Sequence, residues 1–163
     1  MNLINQNILT FLIFFPLLAG TLTFFLPRVA AKYFGLISSL VVLLGAAHVW
    51  YYFDGSKAGL QFYQAFNWIP EFGIKYIVGI DGLSLLLVVL TAFLTPLVLL
   101  SQWKKSDDSQ KSLFGLILML ESGMLGSLLA LDLVFFYVFW EAMLIPMYFI
   151  IGVWGGARRI YAT

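Results

Sequence analysis

The chain has 163 residues, of which 62% are hydrophobic and only 10% charged, and its formal net charge is +1. A water-soluble domain carries roughly 25% charged residues, so the charges here are too few to coat a water-facing surface, and a near-neutral chain without a basic cluster excludes nucleic acid as a partner. The absence of cysteine excludes disulfides, thiolate metal sites and cysteine-ligated iron–sulfur clusters within the chain.

Five apolar runs follow one another. The first covers 8–26 and stops at Pro27. Met1 to Asn7 holds no Lys or Arg, so this run lacks the basic start of a secretory signal and is expected to be a retained membrane span. The second run is 34–53, and after it comes a long connection, 54–82. Near its end Phe72, Ile74, Tyr76, Val78 and Ile80 fall two apart, the period of a strand. Pro70-Glu71 turns that strand back on Phe62 to Trp68, which predicts a short external β-hairpin. The last three runs are 83–103, 113–131 and 133–154. Each run is long enough to cross a hydrocarbon core of about 30 Å at about 1.5 Å per residue. Lipid offers the backbone no hydrogen-bond partner, so the spans must be helices, and they lack the alternation of a membrane β-barrel. Trp50, Tyr51, Tyr52, Trp103 and Trp154 mark span ends, where amphipathic rings sit at headgroup level. The expected fold class is all-α, a polytopic membrane bundle of about five transmembrane helices with the hairpin outside.

Basic residues set the expected orientation. Arg28, Lys32, Lys104, Lys105, Lys111, Arg158 and Arg159 fall on one side, against Lys57 and Lys75 on the other. The positive-inside rule then puts the N-terminus outside and residue 163 in the cytoplasm.

The informative residues are acids inside the spans, Glu121 and Glu141. An acidic group at a helix centre costs about 2.5–3.5 kcal/mol on insertion scales, while each Leu, Ile, Phe or Val returns about 0.3–0.6 kcal/mol. The fifth span holds twelve such residues, worth roughly 5 kcal/mol, and inserts despite Glu141. The fourth holds ten, with several Gly and Ser, and leans on its neighbours. Each glutamate lies ten residues from Leu131, which in an antiparallel helical pair puts both about 15 Å from the turn. Sequence leaves open whether they face each other. A mid-membrane carboxyl balanced between desolvation and a cationic partner gains and loses protons, as a relay requires. It can equally be a neutral acid bonded to a neighbouring helix. The second reading weighs more for Glu121, because Ser122, Gly123, Gly126 and Ser127 suggest a close helix contact.

Pro146 removes the helical N–H that would bond the Ala142 carbonyl and frees an acceptor beside Glu141; Pro16 and Pro96 act likewise in their spans. His48 is a possible proton relay, although beside Trp50 and Tyr51 a hydrogen-bonded packing role is the more ordinary one. Asp81 is expected to cap a helix or end the hairpin, and Asp132 to favour the start of the fifth span. No glycine-rich phosphate loop, nucleophile–base pair, metal cluster, haem site or quinone site is visible.

Two segments carry a family resemblance. Val78-Gly79-Ile80-Asp81-Gly82-Leu83-Ser84-Leu85, followed by a proline-containing span ending in Trp103, resembles the entry to the third helix of the antiporter-like subunits of respiratory NADH–quinone oxidoreductase (complex I), in the branch called subunit M or chain 4. Asp132 to Phe149 is similar to the fifth helix of that family almost throughout, with Phe139-Trp140-Glu141 and then Pro146 as its most specific part. The resemblance implies that 1–163 is the N-terminal part of a longer subunit with two inverted repeats, a truncated product or fragment. It implies that Glu141 is the proton-relay glutamate, paired in the family with a lysine on a seventh helix that this chain does not contain. It implies proton translocation coupled to electron transfer, with NADH, FMN, iron–sulfur clusters and quinone held by other subunits and no cofactor or metal here. Enzyme activity would belong to the complex, with no redox active site in this chain. The expected partners are the other membrane subunits and the lipid bilayer, and the expected location is a bacterial inner membrane. Multi-subunit cation/proton antiporters and membrane-bound hydrogenases share the fold and the glutamate and remain alternatives. A truncated, non-transporting membrane scaffold is the alternative of another class.

Overall fold

The computed structural model describes residues 3–57, 59–103 and 110–156, with side chains from residue 5 onward. Lys104, Lys105, Arg158 and Arg159, used for the orientation, lie outside the described residues, as does residue 163. Among the described residues five helices are long and apolar enough to cross a membrane: α1 Leu3–Thr23, α2 Arg28–Tyr52, α3 Gly82–Ser101, α4 Gln110–Leu129 and α5 Leu133–Trp154. Between α2 and α3 stands the hairpin, β1 Gln61–Ile69 and β2 Ile74–Ile80, antiparallel and joined by a single 3-10 turn, Pro70–Phe72. The chain is an integral membrane protein of the expected fold class.

The helix ends differ from the apolar runs where polar chemistry takes over. Ahead of Pro27 the chain cannot stay helical. It tightens into three-residue turns, with Phe25 N–H donating to Leu22 O at 3.0 Å, and α1 ends at Thr23, not Leu26. Pro27 then caps α2 in an extended conformation, so Arg28 and Lys32 fall in its first turns, before the apolar run that starts at Phe34. The end of α4 is drawn back to Leu129. Ala130 bridges Val78, and the Leu131 N–H donates to Ile77 O at 2.9 Å, so the α4–α5 turn is stitched to β2.

Where the hairpin meets the bundle the strand is covered on both faces: Val78, Gly79 and Ile80 are all buried. Gly73 closes the 3-10 turn at φ 68°, a left-handed conformation that glycine adopts without penalty. A side-chain carbon at Gly79 would fall 2.8 Å from Leu131 Cδ1, which explains glycine under the α4–α5 turn. Tyr76 stacks edge-on to Phe135 of α5 at 4.8 Å. Its hydroxyl lies 2.7 Å from Thr10 Oγ1 of α1, which in turn donates to Gln64 Oε1 at 2.6 Å.

α4 is the hub. It packs against α1, α2, α3 and α5, whereas α5 packs chiefly against α4 and β2. Lipid is as apolar as leucine, so helices in a bilayer associate through close packing and polar contacts. At the α1–α4 crossing, a side-chain carbon on Gly20 would meet the Gly115 carbonyl oxygen at 2.7 Å, and Ser122 Oγ donates to Ile13 O at 2.6 Å. At the α4–α5 crossing, Gly123 admits Met143 and Gly126 admits Phe139. Two apolar clusters result. One, near the hairpin, includes Leu125, Leu129, Phe135 and Val88; the other, at the far end, includes Leu99, Leu113, Phe114 and Leu118.

Candidate functional site

Asp132 sets the start of α5, its carboxylate accepting from the Val134 and Phe135 N–H groups at 3.0 Å each. Glu141 follows about two and a half turns on, near the middle of the helix. The α4-facing stripe of α5 is Phe135, Phe139 and Pro146, all buried. Glu141 is about 200° round the helix from Phe139 and is exposed. It lies in a shallow open groove with Tyr137, Ala142, Ile145 and Tyr148. Tyr137, one turn back, is close enough for its hydroxyl to interact with the carboxyl. Pro146 is buried, and Ala142, whose carbonyl it deprives of a helical partner, lines the groove beside Glu141. No other helix of the described residues contributes to that groove.

Glu121 is the reverse case. It is 0% exposed, and neither carboxyl oxygen has a hydrogen-bond partner. It occupies the waist of α4 between Leu118 of the far cluster and Leu125 of the hairpin cluster. The Thr95 hydroxyl of α3 lies within reach of it. That hydroxyl donates instead to its own helix, to Thr91 O at 3.0 Å. The close helix contact anticipated around Glu121 exists: Ser122, Gly123 and Gly126 make it, toward α1 and α5. It leaves Glu121 itself on the α3 side and unsatisfied. The two glutamates therefore sit on opposite sides of the α4–α5 seam and do not face each other.

The remaining polar residues serve the frame. His48 Nε2 lies 2.8 Å from Asn5 Oδ1, and the ring packs on Tyr52 at 4.6 Å, tying α2 to α1. Asp81 caps α3, accepting from the Ser84 N–H at 2.7 Å, while Ser84 Oγ accepts from the Asp81 N–H at 3.2 Å. The Ser84 hydroxyl also donates to the Asp81 carboxylate, and these bonds hold its carboxyl below the usual range. Among the described residues no group of three or more His, Cys, Asp or Glu could hold a metal ion.

Sequence reasoning missed Tyr137 and Thr95 as neighbours of the glutamates. Tyr137 was legible, because residues four apart share a helix face. Thr95 was not, because its contact depends on how α3 packs on α4.

Residues 130–163 match the family described as NADH:quinone oxidoreductase/Mrp antiporter, TM. Over nearly its whole length the chain is similar to subunit M of F(420)H(2) dehydrogenase from Methanosarcina mazei, at 41% identity over 93% of this chain and 31% of the relative. It is likewise similar to NADH-quinone oxidoreductase subunit M of Rhodobacter capsulatus, at 40% identity over 97% of this chain and 32% of the relative. Among solved structures, a chain of respiratory complex I from Thermus thermophilus superposes with a TM-score of 0.80 at 26% identity, covering 94% of this chain and 31% of that one. The chain thus spans about a third of the length of the relatives it matches. The resemblance carried by Val78–Leu85 and Asp132–Phe149 holds: along nearly its whole length the chain is similar to about a third of the length of membrane subunits of the subunit M/chain 4 kind.

Proposed function

We propose that this chain is part of a proton-translocating membrane subunit of an NADH:quinone oxidoreductase, with Glu141 as its proton-relay carboxyl. The observation that carries the proposal is the position of Glu141. It lies at mid-depth on a face of α5 that no other helix of the described residues covers. An ionisable group turned to lipid costs about 2.5–3.5 kcal/mol at a helix centre, so that face calls for a polar neighbour. The relatives are about three times as long as this chain. Further helices of a subunit of that length would cover the groove and could bring a cation to Glu141. Tyr137 and the freed carbonyl of Ala142 would then complete a short polar path. His48 and Asn5, near the membrane surface, are assigned to packing.

The redox step lies in other subunits. The similar proteins are named for different donors, F(420)H(2) in one and NADH in another, which suits a membrane part that moves protons regardless of what feeds the electrons. NADH, FMN, iron–sulfur clusters and quinone are accordingly assigned to those subunits, which are the partners of this one. Arg28, Lys32 and Lys111 gather at the end of the bundle opposite the hairpin, and Lys57 and Lys75 at the hairpin end. By the positive-inside rule that distribution favours the hairpin outside and the opposite end in the cytoplasm, and we read the membrane as a bacterial inner one.

The experiment is Glu141→Gln in the full-length subunit within its complex. Proton pumping into membrane vesicles should be lost, with the complex still assembled on native gels. Normal pumping would refute the proposal and leave a membrane scaffold. Purification partners that are antiporter or hydrogenase subunits would reassign the same chemistry to those complexes.

A further inference from the structure

We propose that Glu121 is a second proton-carrying group, exchanging its proton by way of Thr95 with water in the cavity between α3, α4 and the end of α5. The inference rests on the transport function proposed above but uses a different part of the molecule.

A cavity of about 530 Å³ runs along the α3–α4 seam. At about 30 Å³ per molecule it has room for on the order of ten waters. α3 turns Thr91 and Thr95 into it, and its C-cap residue Gln102 joins them. Their spacings of four and seven keep them on one helix face. Gln110 and Glu121 of α4 are eleven residues apart, three turns of the same face, and both are buried. Gln110 donates to Gln102 O at the mouth and leaves its own Oε1 without a partner. An otherwise apolar seam thus carries a polar stripe from its mouth at Gln102 and Gly155 inward to Thr95, with Glu121 behind it.

A structural carboxyl in such a place would show partners, since buried polar groups are hydrogen-bonded in the great majority of cases. Glu121 shows none on either oxygen, so among the described residues it is not a crosslink. Thr95 lines the cavity and lies within reach of Glu121. A hydroxyl both donates and accepts. Once the Thr95 hydroxyl turns away from Thr91 O, Glu121 can give its proton to Thr95 Oγ1 while the proton already on that oxygen passes to a cavity water. One O–H bond breaks on the glutamic acid, one forms on the water, and the reverse order reloads the acid. Next to Thr95, Pro96 has no N–H for the Ala92 carbonyl, which leaves an acceptor on the same buried stretch of α3. The mouth lies at the Arg28 and Lys111 end of the bundle. Glu121 would therefore load from that side, separated from Glu141 by the α4–α5 seam.

The test uses the full-length subunit in its complex, in membrane vesicles. Residues 1–163 hold no cysteine, so single cysteines placed in them are read against the same subunit without the added cysteine. Leu94→Cys and Val98→Cys, on the cavity lining, should react with a membrane-impermeant thiosulfonate from the Gln102 side faster than Leu97→Cys, which is outside that lining. Glu121→Gln should lose most of the proton pumping in an assembled complex. Thr95→Val should slow pumping, and Thr95→Ser, which keeps the hydroxyl, should restore it; this pair decides the matter if Glu121→Gln does not assemble. Wild-type pumping by Glu121→Gln, equal rates for Thr95→Val and Thr95→Ser, or cavity cysteines no faster than Leu97→Cys would overturn the inference. If Glu141→Gln is inactive while Glu121→Gln pumps normally, only this inference falls. If Glu141→Gln pumps normally, the transport function beneath it falls instead.

Discussion

Gly126 offers a quantitative test of the α4–α5 seam on which both glutamates depend. A side-chain carbon at this position would overlap the ring of Phe139, with Cε1 at 2.7 Å and the nearer ring atoms Cδ1 and Cγ closer still. The ring has little room to yield. Phe139 is 7% exposed and is held by Phe135 at 4.8 Å and Phe14 at 6.1 Å. Overpacking costs about 1–3 kcal/mol, while alanine regains about 0.5–1 kcal/mol over glycine inside a helix. The pinned ring puts Gly126→Ala in the upper part of that range, a net loss of about 1–2 kcal/mol, or about tenfold in the packing equilibrium of α5. Thermal denaturation of the complex in detergent, followed by release of this subunit, reads the effect. Gly82→Ala is the control, because a side chain there meets nothing within 4 Å. Phe139→Leu in the Gly126→Ala background should recover much of the loss. A Gly126→Ala complex as stable as the Gly82→Ala control, or one that Phe139→Leu fails to improve, would refute the seam as the element that fixes α5.

Asp132→Ala removes the acceptor for two backbone N–H groups at 3.0 Å and should cost about 1 kcal/mol in the same melting assay, with Asp132→Asn costing less. Asp54 gives a pH dependence outside the membrane. The Ser56 hydroxyl, together with Lys57 and the Ser56 N–H, holds its carboxyl down from 3.8 to about 2. A lowered folded-state value stabilises the ionised turn above the ordinary carboxylate value and loses that support as pH falls through the folded one. The protection of the Ser56 amide against hydrogen exchange, taken relative to the intrinsic rate at each pH, should therefore fall as pH drops from 3.8 to about 2, and unchanged protection across that window would contradict the assignment.

The chain made some of this plain and hid the rest for identifiable reasons. Five spans follow from length and apolarity, and the hairpin from the two-residue spacing of Ile74, Tyr76, Val78 and Ile80, because those periodicities are local. The caps at Asp81 and Asp132 are equally local, an acid just ahead of a helix. The fates of the two glutamates are not. Glu121 and Glu141 occupy similar depths in similar apolar helices, and their burial is decided by neighbours. α4 is packed by four other helices, so its faces meet protein; α5 is packed chiefly by α4 and β2, so its far face meets none. Sequence weighed Glu121 toward a satisfied helix contact because small residues surround it. The small residues do serve a contact, but they sit on other faces of the helix, and the carboxyl went to the side where α3 offers only a hydroxyl already given to Thr91.

The hairpin bears on this asymmetry, because it fixes the turn from which both depths are measured. The Leu131 N–H is bonded to Ile77 O, and Ala130 bridges Val78. β2 in turn is held to α1 through Tyr76 and Thr10 and runs directly into the Asp81 cap of α3. A shift of β2 along its own axis would therefore carry the α4–α5 turn with it and displace Glu121 against Thr95, while Glu141, with no helix of the described residues over its groove, would keep its surroundings. Loosening the stitch from outside the membrane, as Tyr76→Phe would by removing the hydroxyl that meets Thr10, is thus expected to disturb the Glu121 path more than the Glu141 groove, although Tyr76 stacks on α5 and not on α3 or α4.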